Sequence, residues 1–125
     1  MADQKQPKVA IVGASSAGLT LALSLIHHNA ILASNVIILE TRSREVRPNG
    51  AVVLTPNALR ILDKLGIYGQ IRTQSYPFAG NQYRDAQGNL MSEHSSGGAA
   101  MLGYQSSRIE RESLIRLKPR SRRLA

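Results

Sequence analysis

Apolar residues near the start of the chain form short unbroken runs that polar residues separate. Val9–Val12 and Val36–Leu39 are two such runs, rich in β-branched residues, and the longer apolar segment 19–26 lies between them. Unbroken runs are typical of strands that are covered on both faces, as in a parallel sheet. We therefore predict a strand, a helix over about 17–28 and a second strand, which is the order of a dinucleotide-binding βαβ unit.

A second helix is predicted directly after Thr55. Thr55 is a typical N-cap residue and Pro56 suits the first helical position. Gly66 would end the helix in a left-handed cap. Apolar residues recur between these ends at helical spacing and predict one buried face; they are Leu59, Ile61, Leu62 and Leu65. Further on, Gln87-Gly88-Asn89 predicts the turn of a hairpin over 83–90, and the composition of 95–100 predicts a flexible loop.

Small residues fill the turn between the first predicted strand and helix. Gly13 can adopt the backbone angles of a tight reversal, and Gly18 allows the helix to pack closely on the strand. The free N–H groups and the positive dipole end of the helix would bind a pyrophosphate. Ser15 stands where the G-x-G-x-x-G pattern has glycine. Serine fits there if its backbone angles are ordinary and its hydroxyl points away from, or donates to, a phosphate. A plain tight turn in an α/β protein stays open as the alternative.

An acidic residue, Glu40, ends the second predicted strand. It follows Gly18 by 22 residues, and an acid near this spacing accepts hydrogen bonds from an adenosine ribose in dinucleotide sites. Its charge would repel a ribose 2′-phosphate, so we expect FAD or NAD as ligand and not NADP. Arg42, Arg44 and Arg47 follow, and they either reach the phosphates and ribose or are solvated loop charges. An acid in an ordinary surface turn is the alternative for Glu40.

Composition narrows the class of protein. The chain has 125 residues, 42% of them hydrophobic and 19% charged, which is the profile of one globular domain. It contains no cysteine, so disulfides and a cysteine nucleophile are excluded. No signal peptide or membrane-spanning run is visible. We expect a soluble cytoplasmic protein with no metal site and no membrane partner.

The positive charge is concentrated at the C-terminus. The formal net charge is +8, and residues 118–125 contribute four basic side chains and no acid. No aromatic residue interleaves with them to stack on bases, so we expect a disordered tail and no nucleic-acid partner. The alternative is a non-catalytic binding protein that uses this tail on an anionic partner.

Three segments together resemble a known family. They are the strand, turn and helix with Gly13 and Gly18; Leu39-Glu40 followed by Arg42; and Gly50-Ala51 followed by the residues 54–66, Leu-Thr-Pro-Asn-Ala-Leu-Arg-Ile-Leu-Asp-Lys-Leu-Gly. In these segments the chain resembles the FAD-dependent aromatic-ring monooxygenases, the flavoprotein hydroxylases related to salicylate and para-hydroxybenzoate hydroxylase. The segment 104–115 is similar to the family segment in which a short strand ends in Arg-Ile-x-Arg and opens a helix. The family's FAD-contacting arginine is then Arg111, although Glu110 replaces the usual histidine or tyrosine.

The resemblance implies the roles of the candidate residues. The turn would line the FAD pyrophosphate, Glu40 would hold the adenosine ribose, and Gly50, Ala51 and Arg111 would approach the flavin side. The complete cofactor-binding set is Gly13, Ser15, Gly18, Glu40, Arg42, Gly50, Ala51 and Arg111. The implied reaction uses NADPH or NADH and O₂ to hydroxylate a small organic substrate. The alternative enzyme is an NAD-dependent Rossmann oxidoreductase, and no catalytic residue or substrate is identified.

The resemblance also implies the fold and its extent. We expect an α/β fold: a Rossmann-like βαβ FAD-binding unit with an incomplete parallel sheet and part of a small antiparallel substrate sheet. The expected organisation is a flexible leader over 1–7, a partial FAD-binding domain over 8–117 and the basic tail over 118–125, with 76–106 as an excursion toward the substrate sheet. Only the N-terminal part of a typical member is covered. We therefore expect a truncated, inactive product that exposes apolar surface and retains FAD weakly or not at all.

Overall fold

The computed structural model describes residues 7–43, 49–96 and 98–117. Arg44, Arg47, the basic tail and all of the leader except Pro7 lie outside these ranges. The chain divides into two compact units, residues 1–48 and 49–125. The elements follow in the order β1 (Val9–Val12), α1 (Ser16–His27), a 3₁₀ turn (Ala33–Asn35), β2 (Val36–Leu39), β3 (Ala51–Leu54), α2 (Pro56–Lys64), α3 (Tyr68–Gln74), β4 (Tyr76–Pro77), β5 (Gly80–Arg84), β6 (Leu90–Ser95), α4 (Ala99–Leu102), β7 (Ser107–Glu110) and α5 (Arg111–Arg116).

The first unit is a strand, a helix and a second strand, as predicted. β1 and β2 pair in parallel, with Val9 opposite Val36 and Val12 opposite Leu39. α1 connects them and begins one residue before the predicted start. Parallel pairing brings the C-terminal ends of both strands to the same edge, which is where the candidate turn and Glu40 lie.

The prediction that these two strands are buried on both faces is wrong for the described residues. Ile11 is buried, but the side chain of Val12 is 83% exposed and that of Leu39 is 52% exposed. A two-stranded sheet with one helix has cover on one face. The β-branched runs that suit a fully covered parallel sheet therefore leave an apolar face open.

The second unit is built on an antiparallel sheet. Its strand order is β3–β7–β4. Ala51 is opposite Glu110 and Leu54 is opposite Ser107, while β4 pairs with the other edge of β7 through Tyr76 and Arg108. Parallel pairing in the described residues is thus confined to β1 and β2. The core of this unit joins the sheet to α2 and α3 and consists of Leu54, Leu59, Leu62, Ile67, Ile71 and Ile109.

Helix α2 matches its predicted ends. Pro56 opens it after Thr55, and Gly66 follows it with φ +79°. The N–H of Ile67 donates to Leu62 O at 3.1 Å and that of Gly66 donates to Asp63 O at 2.9 Å. This pair of bonds is a Schellman motif. The apolar contact that usually accompanies the motif is present between Leu62 and Ile67, which both belong to the core.

The prediction that Ile61 belongs to the buried face of α2 is wrong. The side chain of Ile61 is 49% exposed, whereas Leu59, Leu62 and Leu65 are buried. Residues two positions apart do not share a helix face, so Ile61 cannot point with Leu59 into the core.

The predicted hairpin is present as β5 and β6. Gly80 is opposite Ser95, and the strands meet at a turn over 85–89. The carboxylate of Asp85 accepts hydrogen bonds from the N–H groups of Gln87 and Asn89 at 2.9 and 2.8 Å. The predicted loop over 95–100 is in part wrong, because Ser95 ends β6 and α4 begins at Ala99.

Candidate functional site

Gly13 turns the chain from β1 toward α1. Its φ is +102°, a left-handed conformation that favours glycine. Its N–H donates to Leu39 O at 2.7 Å and so adds one bond between the residue after β1 and the last residue of β2. Gly13 is therefore tied to β2 while its backbone makes the reversal.

Gly18 allows α1 to lie close to β1. A Cβ at this position would be 2.0 Å from Gly13 O and 3.3 Å from Cγ2 of Ile11. Such a contact with backbone cannot be accommodated without moving the helix. The close helix–strand packing that the sequence predicted at Gly18 is thus present.

Ser15 fits the turn as the N-cap of α1. Its φ of −73° and ψ of 173° are ordinary extended angles, so the side chain causes no backbone strain. Its Oγ accepts a long hydrogen bond of 3.5 Å from the N–H of Gly18. The hydroxyl is thus directed into the first turn of its own helix, which explains how serine replaces the glycine of the usual pattern.

The start of α1 presents unpaired backbone donors. The N–H groups of Ser15, Ser16 and Ala17 have no hydrogen-bond partner among the described residues. They stand at the positive end of a 12-residue helix. This cluster can receive the oxygens of a phosphate.

Glu40 connects the two chain segments that follow β1 and β2. Its Oε2 accepts from the N–H of Ala14 at 2.9 Å, and its Oε1 accepts from the N–H of Arg42 at 2.9 Å. The N–H of Arg42, followed by that of Ala14, lowers the pKa of this carboxyl below its ordinary value of 4.5. The exposed carboxylate is consequently ionised at neutral pH.

Sequence reasoning missed Ala14. The residue has no functional side chain, and its contribution is a backbone N–H that binds Glu40. The parallel register contains the signal, because pairing Val12 with Leu39 places the residues that follow each strand side by side.

A second group of candidate residues lies in the other unit. Gly50 has φ +94°, and its carbonyl oxygen accepts from the N–H of Arg111 at 2.9 Å. Ala51 and Glu110 form the last pair of the β3–β7 ladder. Arg111 opens α5 with an exposed side chain. The structure thus places Gly50, Ala51 and Arg111 together at one end of the antiparallel sheet.

Other features of the described residues do not involve the candidate set. A groove of about 460 Å³ follows the hairpin and shares no lining residue with that set; Ala79, Gly80, Gln82, Glu93, His94 and Ser95 line it. Within the described ranges, no three His, Asp or Glu side chains are grouped to hold a metal ion. No helix there has the length and apolarity needed to span a membrane.

Comparison with known proteins extends these observations. Residues 6–115 match the family model described as FAD binding domain. The FAD-dependent monooxygenase dpfgE of Gibberella zeae is 34% identical over 117 residues, which are 92% of this chain and 24% of that protein. The FAD-dependent monooxygenase subE of Metarhizium robertsii is 34% identical over 92% of this chain and 35% of its own length. The chain therefore spans about a quarter to a third of these relatives.

Solved structures show the same fold. The p-nitrophenol 4-monooxygenase PnpA of Pseudomonas putida superposes with a TM-score of 0.73 at 22% identity, over 87% of this chain and 27% of that one. HpxO of Klebsiella pneumoniae, crystallised with FAD and uric acid, superposes with a TM-score of 0.64 at 23% identity, over 90% of this chain and 28% of that one. At these identities the likeness establishes the mixed α/β fold.

Proposed function

The chain belongs to the FAD-binding domain family of flavin-dependent monooxygenases, and on that premise we propose that its Gly13–Gly18 turn binds the pyrophosphate of FAD. The N–H cluster of Ser15, Ser16 and Ala17 carries this proposal. These N–H groups could bind an anion without breaking any hydrogen bond within the described part of the protein, and the helix dipole would add to the attraction. The unit β1–α1–β2 then acts as a Rossmann-like dinucleotide-binding unit.

Glu40 is proposed to hold the adenosine ribose. An ionised carboxylate has about four acceptor positions; the N–H groups of Ala14 and Arg42 take two of them at 2.9 Å, and the N–H of Thr41 is a weaker third donor. At least one position remains for a ribose hydroxyl. The same negative charge opposes a 2′-phosphate, so this position favours FAD or NAD over NADP.

Gly50, Ala51 and Arg111 are proposed to contribute to the flavin side of the cofactor. Their shared position at one end of the β3–β7 ladder supports this role, together with the family resemblance of the segments that contain them. The bond from Arg111 N–H to Gly50 O fixes the point from which the guanidinium extends. That group has five N–H donors for oxygen acceptors on a cofactor.

FAD, when bound, would supply the transfer of electrons from NADPH or NADH and of one oxygen atom from O₂ to a small organic substrate. The relatives named above are monooxygenases, and one neighbour was crystallised with uric acid. Since the chain spans about a quarter of dpfgE, we propose that these residues supply cofactor binding. The substrate pocket and the complete reaction then require parts of the relatives that have no counterpart in these 125 residues.

Ligand titration of the purified chain tests the proposal. We expect weak but saturable binding of ADP and FAD, in line with the weak FAD retention predicted from the sequence, since both contain the adenosine diphosphate that the turn and Glu40 would hold. FMN lacks that part and serves as the matched ligand control. NADP should bind more weakly than NAD. Binding of FMN as tight as that of FAD, or absence of ADP binding, would overturn the assignment of the turn.

A further inference from the structure

We infer that Glu40 is a positioning residue for the Gly13–Gly18 turn, because its carboxylate holds the N–H of Ala14 as well as the chain beyond β2. This inference concerns the same site as the proposed function and rests on it for the ligand. It assigns Glu40 a task that does not require the ribose. The two residues are 26 positions apart in sequence, so the bond is a long-range tie between two segments that are otherwise joined through the strands.

The tie continues the β1–β2 ladder by means of a side chain. The last backbone bond of that ladder runs from Gly13 N–H to Leu39 O at 2.7 Å. The next donor along the turn is the N–H of Ala14, and the Glu40 carboxylate accepts it at 2.9 Å. The unpaired donors start immediately afterwards, at Ser15. Glu40 therefore determines where the paired backbone ends and the anion-binding backbone begins.

Such a tie is needed because Gly13 is flexible. Glycine adopts left-handed and right-handed angles with similar ease, so the φ of +102° at Gly13 does not hold itself in place. Fixing Ala14 from outside limits the rotations available to the peptide that follows Gly13. The N–H groups of Ser15, Ser16 and Ala17 are then held in one arrangement before a phosphate arrives, which reduces the ordering required on binding.

One carboxylate thus serves the turn and the ribose together. The N–H of Ala14 binds Oε2 and that of Arg42 binds Oε1, and the N–H of Thr41 is a weaker third donor to the same carboxylate. Of about four acceptor positions, at least one stays available to a ribose hydroxyl. The hydroxyl of Thr41 lies 3.5 Å from Oε1, which is too long to fill that position firmly. A ribose can therefore bind without release of Ala14.

The charge of Glu40 controls the tie. Among the described residues, Arg42 is the charged one that acts on this carboxylate, and it favours the ionised form. Lys8 precedes β1 at the opposite end of the strand, and His27 and His28 lie at the far end of α1, about 18 Å along the helix axis. The folded-state pKa of Glu40 lies below its ordinary value. The tie is consequently present at neutral pH and is lost as the pH falls through that lowered pKa.

Nuclear magnetic resonance of the ligand-free, ¹⁵N-labelled full chain tests the tie directly. We expect the Ala14 amide resonance to shift on acidification with the same midpoint as the Glu40 carboxyl. Glu40→Gln should abolish that titration and speed the hydrogen exchange of the Ala14 amide. Glu93→Gln is the matched control, since Glu93 accepts a side-chain hydrogen bond from Gln82 on the hairpin. The inference would be overturned if the Ala14 amide resonance did not shift with pH and if Glu40→Gln left its hydrogen exchange unchanged.

A ligand without ribose hydroxyls separates the two tasks of Glu40. If the carboxylate positions the turn, Glu40→Gln should weaken binding of 2′,3′-dideoxyadenosine diphosphate by about two- to tenfold, the usual effect of losing one hydrogen bond. Unchanged affinity for this ligand, with reduced affinity for ADP, would assign Glu40 to the ribose alone and overturn the positioning role. If the unaltered chain binds no ADP, the proposed function fails, and the Ala14 resonance still decides whether the tie exists.

Discussion

The two units of the chain contrast in how they bury apolar residues. The second unit has a closed core in which Leu59 and Ile71 have no exposed surface. In the first unit, Ile11 and Ala22 are buried, while most of the apolar side chains of β1 and β2 stay partly or largely exposed. The proposed phosphate-binding turn thus belongs to the less buried unit. Its geometry depends on local constraints, namely a glycine contact, a helix cap and a carboxylate tie.

The largest expected effect is that of a truncation in the closed core. Ile71→Ala should destabilise the second unit by about 2–5 kcal/mol, because it removes a buried side chain and leaves a cavity. Val12→Ala in the first unit should change stability by less than about 0.5 kcal/mol, since that side chain is mostly exposed. Urea unfolding followed through amide resonances of each unit measures both changes. Equal losses from the two substitutions would show that the β1–β2 face is covered in solution.

A substitution at Gly18 should have the next largest effect. Gly18→Ala places a Cβ 2.0 Å from Gly13 O, and relief of that overlap should destabilise the first unit by about 1–3 kcal/mol. Gly69→Ala in α3 is the control, because a Cβ there meets no atom within 4 Å. Alanine should stabilise that helix slightly. Thermal unfolding of both variants checks the comparison, and equal stability would contradict the close contact.

The helix caps of the two units should differ by a smaller amount. Ser15→Ala removes a hydroxyl that accepts from Gly18 N–H and should cost about 0.5–1 kcal/mol, the lower part of the N-cap range, because the bond is long. Thr55 makes no side-chain cap bond to α2. Thr55→Ala should therefore cost less than Ser15→Ala in urea unfolding. A larger loss at Thr55 would indicate that its hydroxyl bond to Asn57 matters more than the cap.

The smallest effect is expected in the acid range. Backbone N–H donors lower the pKa of Glu40, and the side chain and N–H of Asn89 lower that of Asp85. Each lowered pKa contributes stability above the pKa of the unfolded chain, and the contribution is lost as the pH falls through the folded-state value. Glu40→Gln should flatten the acid dependence of the first unit and Asp85→Asn that of the second. Unfolding curves at several acidic pH values measure this, and an unchanged slope for either variant would contradict its hydrogen bonds.

Elements with complete local signals were predictable from sequence. Helix α2 carries its start at Thr55-Pro56 and its end at Gly66, and the structure has both. The hairpin turn over 85–89 is likewise fixed by contacts between residues that are at most four apart. Such elements can be predicted because the hydrogen-bond donor, the acceptor and the glycine with positive φ all lie in one short segment.

Features that depend on pairing or packing were not predictable in the same way. The apolar run of β2 is typical of a strand that is covered on both faces in a complete sheet. The described residues do not provide that cover, so β2 is mostly exposed. The bond from Ala14 to Glu40 requires the β1–β2 register. Ile61 shows that an apolar residue within a helix need not belong to its buried face. The cofactor roles of Gly50, Ala51 and Arg111 stay predictions, since they come from the family resemblance and from the shared position of these residues at one end of the β3–β7 ladder.

The hydrogen bond between Arg111 and Gly50 has a consequence for variation in chain length. It joins the two ends of the segment 51–110, so the polypeptide departs from and returns to one place. The entropy of closing a loop grows slowly, by about 0.6 kcal/mol for each doubling of its length. Insertions at the 85–89 tip should therefore be tolerated, provided that the hydrogen bond from Arg111 N–H to Gly50 O is kept. That tip is a suitable point for a fluorescent label or an affinity tag.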